Sequence, residues 1–141
     1  MVRRQRRMCI RDRESAAYLY NPELHVLNFV AEGDFRPAVS GGQDFIHVVP
    51  VVLVLVSDQD RFNEFVASRS STGAPDLRHL IPAWSAYDAG IVSQNINLFC
   101  AGIGLATITR AMMNQEELRK AFHLKDSQVI LLNNAVGYPI E

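Results

Sequence analysis

One stretch constrains the fold of this 141-residue chain more than any other. Residues 82–104 have the sequence PAWSAYDAGIVSQNINLFCAGIG, and the leading proline suits the first turn of a helix. The apolar side chains of this stretch cover more than one face of that helix: Trp84, Tyr87, Ile91, Val92, Ile96, Leu98, Phe99 and Cys100. A helix that is apolar on several sides must be buried on most of them. We therefore expect it to lie between its own sheet and a second subunit.

A hairpin, a short helix and a further strand are predicted over residues 17–57. Residues 17–20 and 24–30 are rich in strand-forming side chains and flank the turn signal Asn21-Pro22, which predicts a hairpin. Residues 43–49 predict a short helix that ends before Pro50. The run VVLVLVS at 51–57 is apolar on both faces, so it predicts a strand in the centre of a sheet.

The remaining segments complete a mixed order of helices and strands. A short helix is predicted over residues 60–67, followed by a surface loop to residue 80. GLATIT predicts a strand, and Asn114 with Glu117 forms a capping-box pattern that starts a helix. VILLNNAVGYP predicts the closing strand. Because strands and helices do not alternate strictly, the predicted class is α+β.

Charge is divided unevenly along the chain. Residues 1–15 carry six arginines and two acidic residues, whereas the other 126 residues carry 8 basic and 13 acidic residues. An arginine-arm module that binds nucleic acid would need a basic face to continue the arm, and the acidic body argues against one. The longest apolar run, residues 45–56, is shorter than the ~20 residues that span a bilayer. Neither a nucleic-acid partner nor a membrane span is expected.

Motifs for direct catalysis are absent from the sequence. It contains no GxSxG, HExxH or P-loop motif, and its histidines are scattered singly. The Gly-Ile-Gly at 102–104 follows a helix and precedes a strand, so it is interpreted as a helix C-cap. Cys9 and Cys100 make no metal or redox spacing, which indicates a reducing compartment and a cytoplasmic location. If the chain is an enzyme, the absence of these motifs favours one in which a bound cofactor carries out the chemical step.

Residues 88–139 have the sequence DAGIVSQNINLFCAGIGLATITRAMMNQEELRKAFHLKDSQVILLNNAVGYP. This order resembles the C-terminal half of the nitroreductase family: a D-A-G helix with Q-N in its middle, a G-L-x-T strand, a helix, and a strand ending V-G-Y-P. Upstream, the AYLY hairpin, GDFRPA, GGQDFI and the PVVLV strand also fit. The resemblance covers residues 16–141 and implies an antiparallel sheet flanked by helices.

The resemblance also implies a function. The chain would be an FMN-dependent oxidoreductase in which NAD(P)H gives a hydride to the flavin. The reduced flavin then passes electrons to a nitroaromatic or quinone acceptor in a ping-pong cycle. A homodimer through the helix at residues 84–103 would hold two flavin sites at its interface. Dehalogenation, azoline oxidation and flavin binding alone are alternative roles that the sequence does not separate from reduction.

Four residues are carried over as cofactor-binding candidates: Thr109, Arg110, Ala111 and Met112. In the family, the segment after the G-L-x-T strand presents backbone N–H groups to flavin N5 and its neighbours. Ala111 is small enough for close approach, and Arg110 could place positive charge near the reduced flavin or the NAD(P)H phosphate. The alternatives are a solvated surface arginine for Arg110 and an ordinary strand residue for Thr109. No residue is predicted to be catalytic or to bind metal.

Other polar positions are less specific. Asp88, Gln94 and Asn95 are polar residues in a helix expected to be buried, where they would make inter-helix hydrogen bonds or touch the cofactor region. Residues 40–43 and the loop 68–80 are predicted to shape the substrate side of the pocket.

The chain also departs from the family. The main phosphate and ribityl contacts of the family lie near its N-terminus, in an Arg-Ser-x-Arg motif that residues 1–15 do not contain. MCIRDR resembles a translated adapter sequence. We therefore expect residues 1–15 to be a non-native leader and residues 16–141 to be a partial domain that lacks its N-terminal helices.

Overall fold

The computed structural model describes residues 15–70, 73 and 75–139, so residues 1–14 of the predicted leader lie outside the description. In chain order the elements are β1 (Ala16–Asn21), β2 (Val26–Glu32), α1 (Arg36–Ser40), a 3-10 helix (Asp44–Val48), β3 (Val51–Asp58), α2 (Gln59–Ser70), a 3-10 helix (Arg78–Leu80), α3 (Ile81–Gly102), β4 (Ala106–Arg110), α4 (Gln115–Ala121) and β5 (Gln128–Gly137). This mixture confirms the predicted α+β class. The described residues divide into a hairpin unit, within 15–52 and 112–124, and a sheet unit, within 53–111 and 125–139.

The hairpin unit begins with the predicted hairpin. Strands β1 and β2 pair antiparallel, with an irregularity in the register between Ala17 and Tyr18. The Asn21 side chain accepts hydrogen bonds from the backbone N–H groups of Glu23 and Leu24, both at 3.0 Å. This is the local bond by which asparagine favours turns over strands. The turn signal in the sequence therefore acts through a specific side-chain contact.

The rest of the hairpin unit is a small helical core. The predicted helix over 43–49 is present as a 3-10 helix, and its Ile46 is fully buried. Helix α4 begins as predicted, because Asn114 Oδ1 accepts from the Glu117 N–H and Asn114 Nδ2 donates to Glu117 Oε2. Leu118 of α4 is buried, and the rings of Phe35 and Phe122 pack edge to face at 5.3 Å. The capping box thus places a short apolar stripe against α1.

The sheet unit contains a three-stranded sheet in the order β3-β5-β4. Strands β4 and β5 are antiparallel, with Ala106 opposite Gly137 and Arg110 opposite Asn133. The prediction that β3 is the central strand is wrong for the described sheet, because β5 occupies the centre and β3 an edge. Residues 133–136 of β5 are buried, whereas Val51, Leu53 and Val56 of β3 are exposed. Apolar composition therefore identified the strand but not its neighbours.

Helix α3 packs on β4 and β5 through a narrow stripe. The buried residues at four-residue spacing are Ile81, Ser85, Ala89 and Ser93, and Cys100 extends the stripe. Small side chains at this spacing let the helix axis approach the sheet closely. The predicted C-cap is confirmed, because Gly104 has a φ of 76° and Leu105 N–H donates to Cys100 O at 2.8 Å.

The other faces of α3 are exposed in the single chain. Tyr87, Ile91, Leu98 and Phe99 each expose more than half of their surface. The sequence predicts that α3 is buried on several sides, and in the single chain the sheet buries one of them. A second subunit on the remaining sides stays a prediction.

Candidate functional site

The four predicted cofactor residues follow one another at the end of β4. Thr109 and Arg110 are the last two residues of the strand, and Ala111 and Met112 continue the chain after it. Thr109, Arg110 and Ala111 belong to the sheet unit, and Met112 belongs to the hairpin unit. Thr109, Ala111 and Met112 are exposed, whereas Arg110 is buried. Their contact with a cofactor stays a prediction.

The Thr109 hydroxyl lies in a cluster of four polar side chains. Its Oγ1 is 2.6 Å from Ser93 Oγ, 3.1 Å from Asn134 Nδ2 and 3.2 Å from Asn97 Nδ2. Ser93 also donates to Asn134 Oδ1 at 2.9 Å, and Asn134 Nδ2 donates to Asn97 Oδ1 at 3.1 Å. We call Ser93, Asn97, Thr109 and Asn134 the Thr109 cluster. It joins α3, β4 and β5.

Secondary structure accounts for the meeting of these four side chains. Thr109 and Asn134 are direct partners in the antiparallel register of β4 and β5, so their side chains leave the sheet on the same face. Ser93 and Asn97 are one turn apart on α3 and therefore share one face of the helix. Asn134 is fully buried and Ser93 is 2% exposed. Buried polar groups of this kind are costly unless each finds partners, and here each does.

Arg110 lies on the opposite face of β4. It pairs across the strands with Asn133, and its Nη1 donates to Asn133 Oδ1 at 3.3 Å. The side chain is only 7% exposed, so the alternative of a solvated surface arginine is wrong. Burial lowers the pKa of the Arg110 guanidinium below its ordinary value, although a guanidinium still keeps its proton at any physiological pH. The sheet unit thus holds a buried cation beside the exposed end of β4.

In the hairpin unit, Met112 contacts the end of α1. Gly41 adopts a left-handed φ of 54°, and a Cβ built there would lie 3.0 Å from Met112 Cβ and 3.2 Å from its carbonyl carbon. Asn114 N–H donates to Ala38 O at 2.7 Å next to this contact. Only glycine permits so close an approach. Ser40 is buried and donates to Pro37 O, and the predicted substrate-side role of residues 40–43 stays a prediction.

The predicted loop 68–80 is partly helical. Helix α2 continues to Ser70, and residues 78–80 form a 3-10 helix. An apolar pocket of about 440 Å³ opens beside it, lined by Phe65, Val66, Arg69, Pro75, Leu77 and Trp84. The Arg69 guanidinium lies 5.7 Å from the centre of the Phe65 ring. A role of this loop in substrate binding stays a prediction.

Asp88, Gln94 and Asn95 are exposed in the single chain, so their predicted inter-helix or cofactor contacts stay a prediction. The polar residues of α3 that the sheet buries are Ser85 and Ser93. Sequence reasoning also missed Asn97, Asn133 and Asn134. The small residues Ser85, Ala89 and Ser93 recur every fourth position, and this spacing could have indicated the face of α3 that meets the sheet. Nothing local could have shown that β5 would place Asn134 opposite Ser93.

In the described part of the chain, no group of three histidine, cysteine or carboxylate side chains could hold a metal ion. Among the described residues, no helix is both long and apolar enough to cross a membrane.

Comparison with known proteins identifies the family. The model of the nitroreductase family matches residues 5–138. The chain belongs to the nitroreductase family. The match begins inside the segment predicted to be a leader, and that segment lies outside the described residues except for Ser15. Members of this family are flavin oxidoreductases, so the chain belongs to an oxidoreductase family, as the sequence indicated.

Individual relatives agree with the assignment. A provisionally named nitroreductase of Methanocaldococcus jannaschii is 24% identical over 131 residues, which are 91% of this chain and 60% of that protein. The structure of a provisionally named nitroreductase from Ralstonia eutropha is 26% identical with a TM-score of 0.73, over 90% of this chain and 55% of that one. The NfrA1 nitroreductase of B. subtilis is 17% identical with a TM-score of 0.56, over 75% and 44%. The last comparison concerns the fold alone.

The chain therefore spans 60% of the length of the curated relative that it matches. The family cofactor can be tested against the residues present. The end of β4 suits the edge of a flavin ring, because Thr109 and Ala111 are small and exposed and the Thr109 hydroxyl is turned toward the helix. We assign no described residue to the phosphate of the cofactor.

Proposed function

We propose that the chain belongs to an FMN-dependent oxidoreductase that uses NAD(P)H to reduce a nitroaromatic or quinone acceptor in a ping-pong cycle. The family match over residues 5–138 carries the proposal. Bound FMN would supply the hydride acceptor and the later electron donor. A cytoplasmic location is part of the proposal, because that compartment holds the pool of reduced nicotinamide that such an enzyme consumes.

The end of β4 supports this proposal by its accessibility. Thr109 and Ala111 are exposed, so a planar ring can approach their backbone. The Ala111 side chain is a single methyl group and leaves the N–H of its own residue open to close contact. Arg110 is buried on the other face of the strand, where its fixed charge would favour an anionic state of the ring through a medium of low dielectric constant. Met112, the fourth residue of the segment, is exposed.

The proposal includes a homodimer formed through residues 84–103. Helix α3 leaves Tyr87, Ile91, Leu98 and Phe99 exposed, and an apolar groove of about 420 Å³ runs along it beside Cys100. Clustered apolar exposure of this kind is typical of protein interfaces. A second copy of α3 would cover it.

The cofactor assignment is tested by titrating FMN into the 141-residue chain and following flavin fluorescence. Because no described residue is assigned to the phosphate of the cofactor, we expect only weak binding by the unchanged chain. Ala111→Val should bind FMN about tenfold more weakly still, a loss of ~1.4 kcal/mol, because a branched side chain blocks the approach of the ring. The control is Ala67→Val, which makes the same change at an exposed position of α2. Absence of FMN binding would defeat the assignment for this chain, and equal effects of the two variants would remove Ala111 from the site.

The reaction is tested in two separate anaerobic half-reactions with the flavin-loaded protein. We expect NADH or NADPH to bleach the flavin absorbance, and a nitroaromatic compound or a quinone to restore it after the nicotinamide has been removed. If neither the nitroaromatic compound nor the quinone restored the flavin absorbance, the proposed class of acceptor would be contradicted. Oxidation of an azoline-containing peptide by the flavin-loaded protein would instead favour the alternative role in azoline oxidation.

A further inference from the structure

The Thr109 cluster has a definite direction of hydrogen bonding. Ser93 carries one hydroxyl proton, and it is donated to Asn134 Oδ1 at 2.9 Å. Ser93 Oγ can therefore only accept across its 2.6 Å contact with Thr109 Oγ1. It follows that Thr109 donates its single proton to Ser93, away from the exposed surface of the strand.

Counting the remaining donated protons in the same way shows that these hydrogen bonds form a closed ring. One proton of Asn134 Nδ2 is donated to Thr109 Oγ1 at 3.1 Å and the other to Asn97 Oδ1 at 3.1 Å. Asn97 Nδ2 donates a further bond to Thr109 Oγ1 at 3.2 Å. A hydroxyl oxygen offers one proton and two lone pairs, so all three positions of Thr109 Oγ1 are in use.

We infer that Thr109 is a positioning residue whose hydroxyl is unavailable to a ligand. The ring from Thr109 to Ser93 to Asn134 and back to Thr109 fixes the end of β4, and with it the backbone of Arg110 and Ala111. The inference rests on the proposed function in one respect: this backbone is the part that would face the flavin. Thr109 then serves the cofactor through its backbone and through the rigidity of the strand end.

Burial makes the ring an effective brace. Ser93 and Asn134 have almost no contact with solvent, so water cannot readily replace a bond that opens. In such an environment hydrogen bonds are electrostatically stronger, and bonds in a continuous chain polarise one another. Because the three members come from α3, β4 and β5, opening the ring weakens the side-chain links of the strand end to both neighbours at once, while the backbone pairing of β4 with β5 remains.

The first test needs no cofactor and measures amide hydrogen exchange at Arg110 and Ala111 by NMR in the full chain. Thr109→Val should speed exchange at these amides about tenfold, the equivalent of ~1.4 kcal/mol of local opening. Thr109→Ser keeps the hydroxyl and should retain slow exchange. The matched control is Thr107→Val, on the same strand, because Thr107 Oγ1 has no hydrogen-bond partner among the described residues.

A second variant guards against misfolding of the first. Ser93→Ala opens the ring from the helix side and should give the same acceleration as Thr109→Val. In a closed ring the double variant should exchange no faster than either single variant, because each alone already opens it. Exchange unchanged in Thr109→Val and Ser93→Ala, or single effects that multiply in the double variant, would overturn the inference.

FMN affinity separates this inference from the proposed function. Thr109→Val should weaken FMN binding, and Thr109→Ser should preserve it. Weaker binding in Thr109→Val without faster exchange would overturn the inference, since the hydroxyl would then be a direct ligand. If the unchanged chain binds no FMN, the proposed function fails for this chain, and the exchange results still decide whether Thr109 positions the end of β4.

Discussion

Two threonines on one face of β4 have opposite hydrogen-bonding situations. Thr109 Oγ1 has three partners, whereas the buried Thr107 Oγ1 has none in the described part of the chain. A buried hydroxyl without a partner has lost its water and gained nothing in return. We therefore expect Thr107→Val to raise the free energy of unfolding by about 1 kcal/mol, measured by urea denaturation.

The comparison variant for this prediction is Thr107→Ser, which keeps the hydroxyl and removes the methyl group. It should be less stable than Thr107→Val, because it combines a buried polar atom with lost packing. Lower stability of Thr107→Val than of the unchanged chain would mean that the Thr107 hydroxyl has a favourable partner, and would contradict the prediction.

A second residue-scale prediction concerns pH. Arg36 donates to both carboxylate oxygens of Asp34, at 2.8 and 2.6 Å, and this hydrogen bonding lowers the pKa of Asp34 below its ordinary value of 3.8. A carboxyl with a depressed folded-state pKa stabilises the fold above its unfolded pKa, and this contribution is lost as the pH falls through the folded pKa. The pair is partly exposed, so the effect should stay below ~1 kcal/mol.

Urea denaturation between pH 6 and pH 2 measures that contribution. The unchanged chain should lose more stability below about pH 4 than Asp34→Asn, which has no carboxyl to titrate. The control is Asp44→Asn, which makes the same substitution at a carboxyl group that forms no ion pair with any described residue. Parallel pH curves for the unchanged chain and Asp34→Asn would refute the role of the pair.

At this scale the sequence indicated the candidate segment but not its supports. Thr109, Arg110, Ala111 and Met112 were found from a motif, because they follow one another along the chain. Their partners Asn133 and Asn134 are adjacent in sequence yet serve opposite faces of β5. Strand register decides whether Asn133 or Asn134 points toward α3, and register is fixed by pairing between distant segments. Single-sequence reasoning had no access to it.

At the scale of elements, the end of α1 is held by two glycines with different tasks. Gly41 and Gly42 both have positive φ, of 54° and 83°, so a side chain at either costs about 1–2 kcal/mol in backbone strain. Only at Gly41 would a Cβ also meet Met112, at 3.0 Å. We expect Gly41→Ala to lose more stability than Gly42→Ala, by about 1–3 kcal/mol.

Urea denaturation of the two variants isolates the packing contribution, because the backbone strain is common to both. The added Cβ of Gly41→Ala would also lie 3.2 Å from the carbonyl carbon of Met112, and backbone cannot move aside as a flexible side chain can. Equal stability losses in the two variants would show that the close approach of Met112 is dispensable.

Elements themselves were predicted well where their signals are local. The turn at Asn21, the proline at the start of α3 and the cap at Asn114 are each decided by bonds within a few residues. The position of β3 in the sheet is decided by its pairing with β5, whose nearest residue is 70 positions away in the chain, so the apolar run of β3 could not reveal that it lies at an edge. Both outcomes follow from the range over which the deciding contact acts.

At the scale of the whole molecule, both the sequence and the single chain show more apolar surface on α3 than the sheet covers. Helix α3 is apolar on several sides, yet the sheet covers only one stripe of it. Leu98 remains 62% exposed and Phe99 66%. Leaving such a surface in water is unfavourable at about 25 cal/mol per Å², and a self-complementary contact between two copies of the helix would remove the cost.

We therefore expect the chain to be a dimer whose association depends on Leu98. Leu98→Lys places a charge in the middle of the proposed contact and should shift the protein to monomers, as measured by light scattering after size-exclusion chromatography. Because the side chain is exposed in the single chain, circular dichroism should remain unchanged. The matched control is Asn63→Lys, which adds the same charge at an exposed position of α2 and should leave the dimer intact. A monomeric mass for the unchanged chain across the accessible concentration range, or a dimer that survives Leu98→Lys, would show that α3 is covered by something other than a second copy.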